Sequence, residues 1–118
     1  MNDLKSKINI KLMKRVLTTY KLRKYLKKYF CLTLDNYLVL AYLDSFKNDE
    51  RKYFMRDIIN YIGIDQSRIV KSVKELSKKD YLNKCRDLHD SRNVIIVVSV
   101  NQHNHIKKIL NEININEL

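Results

Sequence analysis

Proline and tryptophan are missing from the sequence, and glycine occurs once, at Gly63. Without proline no helix interior is forced to kink. With one glycine the sharp turns are few, so long helices are expected. A single glycine also excludes the glycine-rich phosphate loops, whose motifs need two or three. Cysteine is scarce too: Cys31 and Cys85 stand far apart and form no CxxC pair, which argues against a zinc ribbon or a dithiol redox site. Both are read as reduced packing residues of a cytosolic protein. No apolar run approaches the roughly 18 residues of a membrane span, and lysines interrupt the first 30 residues where a signal peptide would need an apolar stretch. His89, His103 and His105 give no metal site, because residues two apart point to different sides of a helix. No nucleophile–base pair or paired carboxylate set is visible. Neither an enzyme, nor a cofactor, nor a bound metal is expected.

Basic residues, by contrast, are in excess: 24 Lys and Arg stand against 13 Asp and Glu, a formal charge of +11. With 45% hydrophobic residues in 118, the chain is long and apolar enough for one domain spanning residues 1–118 with its own core. Such an excess calls for a polyanion, nucleic acid first and an anionic membrane surface second. The charge is uneven. Residues 1–30 carry +9 and residues 66–92 carry +4, whereas 31–65 carry −2 and 93–118 are balanced.

Hydrophobic spacing predicts a helix over 4–30, through Ile10, Met13, Leu17, Tyr20, Leu22, Leu26, Tyr29 and Phe30. At 1.5 Å per residue it is about 40 Å long, more than a small core needs, and a second copy of the chain is the economical partner for the surplus. Residues 32–47 form a second helix, capped by Thr33 or Asp35 and apolar on nearly every face, hence buried. A polar turn at 48–51 and a very short strand at 52–54 follow. A short helix over 55–63 ends at Gly63, placed as a left-handed cap, and Asp65 is positioned to cap a helix over 66–79. That helix buries Ile69, Val70, Val73 and Leu76 and turns Ser67, Arg68, Lys71, Lys74, Glu75 and Lys78 outward. Two strands, Tyr81–Arg86 and Asn93–Ser99, enclose a charged loop as a β-hairpin. Residues 101–115 close the chain as a helix with Ile106, Ile109, Leu110 and Ile113 on one face.

This order is that of a mainly α (α+β) winged helix-turn-helix extended by helices at both ends. In such a unit the second helix of the motif reads the major groove of double-stranded DNA. The hairpin tip can place an arginine in the adjoining minor groove, which is most negative where A·T-rich DNA narrows it. Blander readings exist for each residue. Arg86 and Arg92 can pair with Asp87 and Asp90. Lys71, Lys74 and Lys78 can be a solvated face, and Tyr25 and Tyr29 are better read as packing than as stacking on bases. His89 either contacts DNA or caps the loop.

The segments 56-RDIINYIGIDQSRIVKSVKELSKKDYL-82, 86-RDLHDSRNVIIVV-98 and 27-KKYFCLTLDNYLVLAY-42 resemble the staphylococcal accessory regulators, the SarA-type branch of the MarR-like winged-helix proteins. The Asp-x-Arg of the wing, Asp90-Ser91-Arg92, is the sharpest single motif. The resemblance implies a homodimeric, cytosolic, nucleoid-associated regulator of virulence genes on A·T-rich promoter DNA, joined through its terminal helices. It implies that Arg92 is the minor-groove arginine, Asp90 its scaffold and Arg86 a backbone contact at the wing's base. It puts Gln66, Ser67, Arg68, Lys71 and Ser72 at the start and outer face of the recognition helix, beside Lys74 and Lys78. Two departures stand out: Ser91 replaces the glutamate of many relatives, and 7-KINIKLM-13 lacks the cysteine that some carry there. The rival readings are an architectural protein with little base readout and, further off, a membrane-surface protein using the basic first helix.

Overall fold

A computed structural model describes residues 3–113, with side chains from residue 7 onward. The chain divides into two compact units, one running through Leu34 and the other spanning Asp35–Ile113.

The first unit is built on α1, Asp3–Phe30, a helix of 28 residues. Leu22 and Leu26 are buried, while Ile8, Ile10, Leu12, Met13, Val16, Leu17 and Tyr20 stand about half exposed. The helix ends where Cys31 takes a left-handed φ of 55° and the Leu32 N–H donates to the Leu26 carbonyl at 3.2 Å. The scarcity of glycine shows in the backbone. Of the positive-φ turns among the described residues, Gly63 makes one, and Cys31, Arg51 and Asp80 make the others.

The second unit holds α2 (Leu34–Ser45) from its second residue onward, β1 (Lys52–Phe54), α3 (Met55–Ile62), α4 (Gln66–Lys78), β2 (Asn83–Arg86), β3 (Val94–Val97) and α5 (Val100–Glu112). The three strands form an antiparallel sheet in the order β1-β3-β2, with Ile96 opposite Tyr53 on one side and Lys84 on the other. Val39, Leu40, Leu43, Ile58, Ile69, Val73, Leu76, Leu82, Ile96, Val98 and Ile106 are fully buried and form the core.

Several expectations change. The second helix is not buried all round: Leu38 is 38% exposed and Phe46, just past its end, 43%, because helix and sheet neighbours cover one face of so short an element. Phe46 and Tyr42 instead cluster with Tyr61, with ring centroids 4.7–5.5 Å apart. The hairpin strands are shorter than predicted. Ser99 is spent capping α5, its Oγ accepting the Gln102 N–H at 3.1 Å while Gln102 Oε1 accepts the Ser99 N–H at 2.9 Å. This capping box is legible as S-x-x-Q. Residues 114 and 115 of the expected last helix lie outside the described residues. Both cysteines are exposed rather than packed: Cys31 follows a helix end, and Cys85 lies on edge strand β2, all four residues of which are exposed.

Gly63 caps α3 as expected, with φ 74° and its N–H donating to the Ile59 carbonyl at 3.0 Å. A Cβ there would meet nothing within 4 Å, so only the backbone conformation opposes a side chain. Gly63→Ala is expected to cost about 1–2 kcal/mol in urea unfolding, and Gly63→Asn less. Asp65 precedes α4 but caps it only through its carbonyl, which accepts from Arg68 and Ile69 N–H at 3.0 and 3.3 Å; its side chain makes no capping bond.

His103 of α5 is 3% exposed, with Nε2 3.1 Å from the Tyr53 hydroxyl. Burial, reinforced by Lys47 and Arg51, pushes its pKa below the ordinary 6.5. In the window below 6.5 the unfolded chain therefore binds the proton more readily than the folded one. Stability is full above that value and is lost as the pH falls through the folded-state pKa. Melting temperatures taken from about pH 7.5 down to about 5 should fall, and the fall should be shallower for His103→Gln.

Candidate nucleic-acid interface

The outward face of α4 follows from its 3.6-residue repeat. Ile69, Val73 and Leu76 point into the core, and Gln66, Ser67, Arg68, Lys71, Lys74 and Lys78 are exposed. Ser72 is not among them. At 100° per residue it falls about 60° from the axis of the buried stripe. Its hydroxyl accepts a 2.7 Å hydrogen bond from Asn36 Nδ2, and the residue is 1% exposed. Ser72, expected on the DNA-facing side, is instead buried and ties α4 to α2. Arg68 serves a related purpose. Its Nε and Nη2 meet the two carboxylate oxygens of Asp35 at 3.1 and 2.7 Å, a forked charge-assisted pair that leaves the side chain 54% exposed. Val70, expected in the core, is half-buried and lines an outer concavity with Gln66, Ser67, Lys71 and Lys74.

The wing loop runs from residue 87 to 93 and is built by its own acids. Asp87 N–H donates to the Asn93 carbonyl at 3.0 Å, and Asn93 N–H to the Asp90 carbonyl at 2.9 Å. The Asp87 carboxylate accepts the His89 N–H at 3.0 Å. The Asp90 carboxylate takes three bonds from Arg92, one from the backbone N–H and two from Nε and Nη2, each at 3.1 Å. These donors hold the Asp90 carboxyl below the usual carboxylate range. The Arg92 side chain nevertheless stays 89% exposed, aimed but not covered. Arg86 Nη1 donates to the Ser91 carbonyl at 3.2 Å and so braces the loop from the end of β2. His89 is exposed. The pairing expected of Arg92 with Asp90 is present, and the pair stays open to solvent, whereas Arg86 bonds a carbonyl and no carboxylate in the wing.

Between the wing and the start of α4 lies a cleft of about 240 Å³, lined among others by Arg56, Asn60, Gln66, Arg92 and Asn93. Sequence reasoning missed Arg56 and Asn60, which lie on α3 outside the two elements taken to read DNA. The Arg56 guanidinium sits 5.4 Å from the centre of the Phe54 ring, an arrangement that steadies a cation without neutralising it. On α1, the Tyr25 ring packs against Tyr29 and Phe30 at 4.9 and 5.9 Å, in line with the packing reading of these aromatics. Among the described residues no group of His, Cys, Asp and Glu has the arrangement of a metal site, and no helix is long and apolar enough to cross a membrane.

Comparison with known proteins gives the family and the fold. Residues 21–109 match the family described as transcriptional regulator SarA/Rot. Over 117 residues the chain is 90% identical to the HTH-type transcriptional regulator SarT of Staphylococcus aureus strain MSSA476, covering 99% of each. The solved structure of AbsC, a MarR family transcriptional regulator of Streptomyces coelicolor, superimposes with a TM-score of 0.75 at 19% identity, covering 94% of this chain and 74% of that one. Reduced AbfR bound to DNA gives 0.70 at 17% identity, with 91% and 75% covered. The fold is the MarR-type winged helix.

Proposed function

The chain belongs to the SarA/Rot family of transcriptional regulators, which are not enzymes, and from that premise we propose that it acts as a cytoplasmic homodimer on A·T-rich promoter DNA, controlling virulence genes. In this reading α4 enters the major groove, with Gln66, Ser67, Lys71, Lys74 and Lys78 toward bases and phosphates. Val70 meets thymine methyl groups, the apolar feature that marks A·T pairs in that groove. Arg92 enters the minor groove, Arg86 and His89 flank it, and Arg56 and Asn60 hold the phosphate between helix and wing. The exposed apolar row of α1, from Ile8 to Tyr20, supports pairing with a second copy.

The observation that carries the reading is the Asp90–Arg92 fork at the tip of a braced hairpin, beside a helix whose outer face is basic. A guanidinium pre-oriented in this way enters a narrow groove with little further ordering cost. Arg92→Ala is expected to weaken binding to an A·T-rich duplex about 10- to 100-fold, the range of one lost arginine contact, with the melting temperature unchanged. Arg92→Lys recovers little, since an ammonium lacks the planar fork. Unchanged affinity in Arg92→Ala removes the wing from the mechanism.

A second reading, an architectural nucleoid protein with little base specificity, draws support from one feature. With Arg68 engaged by Asp35 and Ser72 buried, the outer face of α4 is left mainly with lysines, which favour phosphates over base edges. Selection from randomised duplexes at about 150 mM salt separates the two. Enrichment of an inverted repeat with half-sites about 10 base pairs apart supports a dimeric sequence reader. Enrichment of A·T content without a motif supports the architectural protein.

A further inference from the structure

Leu88 sits at the tip of the wing and is 98% exposed, more than any other exposed large apolar side chain among the described residues. It occupies a loop that is otherwise charged or polar, 86-RDLHDSRN-93. Hydrogen bonds brace the loop on both sides of it, those of Asp87 to His89 and Asn93 and of Asp90 to Arg92. Both acids of the loop take part in building it, and Asp90 is paired with Arg92. What remains outward is a leucine flanked by His89 and Arg92.

We propose that Leu88 is an apolar wedge, carried by the wing into the minor groove, where it opens a base step and bends the duplex. The inference rests on the DNA-binding reading above and deepens it. Proteins that bend DNA from the minor groove insert side chains of this kind between base steps while nearby cations hold the phosphates. The wing supplies both chemistries at one tip: Arg92, already aimed by Asp90, and the leucine four residues before it. The exposed guanidinium of Arg92 at the same tip fits a polyanion better than an apolar protein partner, and one leucine offers a bilayer too little area to hold the chain. Pyrimidine–purine steps such as TA unstack most readily, so the wedge acts at TA steps in A·T-rich sites. Leu88 would then contribute to site preference without hydrogen-bonding any base.

The test uses the full chain and an A·T-rich duplex of about 40 base pairs, end-labelled for energy transfer and carrying 2-aminopurine at its TA steps. Wild-type protein is expected to shorten the end-to-end distance and raise the 2-aminopurine emission, the sign of unstacking. Leu88→Ala is expected to lose the emission rise and most of the bend, with affinity down about 3- to 10-fold, and Leu88→Met to retain all three. On a duplex mismatched at those steps, and so already opened, Leu88→Ala is expected to bind like wild type while Arg92→Ala stays weak. Wild-type bend and emission in Leu88→Ala would overturn the wedge and leave DNA binding standing. Failure of the wild type to bind any duplex removes the DNA-binding reading and the wedge together.

Discussion

Raising the salt from about 50 to about 200 mM is expected to weaken duplex binding by about 10⁵-fold. The reason lies in what the outer surface of the second unit offers. Lys71, Lys74 and Lys78 are exposed on α4, Arg56 opens into the cleft beside the wing, and Arg92 stands 89% exposed at the tip. In the proposed homodimer two copies of this set would reach about ten phosphates, and each phosphate neutralised releases condensed counterions. Log K should then fall against log salt with a slope near −9. Replacing one lysine of the proposed phosphate set, for example Lys74→Gln, should reduce the slope of a monomer's share by about 1 and weaken binding evenly across sequences. Titrations by fluorescence anisotropy at four or five salt concentrations measure the slope directly. A flat line would count against both the sequence-reading and the architectural forms of the proposal, since both depend on phosphate charge.

Ile96→Ala is expected to destabilise the protein by about 2–5 kcal/mol. Ile96 is fully buried on β3, the middle strand of the sheet. It faces Tyr53 of β1 and Lys84 of β2 across the ladder. Truncation loses the transfer energy of three carbons and leaves a cavity that strands paired on both sides cannot collapse to fill. Small domains have only about 5–15 kcal/mol in total, so a large part of the folded population's margin goes. Because β3 is one leg of the wing, DNA affinity should fall with folding, and urea unfolding followed by circular dichroism separates this from a lost contact. Val97→Ala, at a half-buried position of the same strand, serves as the control and should cost about 0.5–1.5 kcal/mol. A loss at Ile96 no larger than at Val97 would show that the sheet is not the anchor of the wing.

The parts of the architecture written in local pattern are legible in the order of residues. The apolar spacing that makes α1, α3, α4 and α5 helical is a property of each segment alone, and so is the left-handed stop at Gly63. The short strand at 52–54 and the two strands of the hairpin were also marked by composition. What pattern could not supply was which partially apolar face finds cover. Val70 and Ser72 illustrate this. They lie on opposite flanks of the same buried stripe, one apolar and one polar, and residue chemistry suggested burying the first and exposing the second. The structure does the reverse with Ser72, because Asn36 of α2 stands opposite to satisfy its hydroxyl, and it leaves Val70 half outside.

The candidate site divides along the same line. Its charge, its position on a helix and a hairpin, and the Asp90-Ser91-Arg92 triplet were all present in the order of residues, since near neighbours in sequence are near neighbours in a tight loop. The partners of Arg68 and the cleft of Arg56 were not, because Asp35 stands 33 residues before Arg68 and Arg92 stands far along the chain from Arg56. The sequence by itself determined that the chain is a basic, helix-rich protein with a helix-turn-helix and a charged wing, since periodicity and local charge act over a few residues. Only the tertiary structure decided which cations are engaged and which are offered. That depends on which carboxylates and amides the fold brings within about 3 Å, the reach of a hydrogen bond.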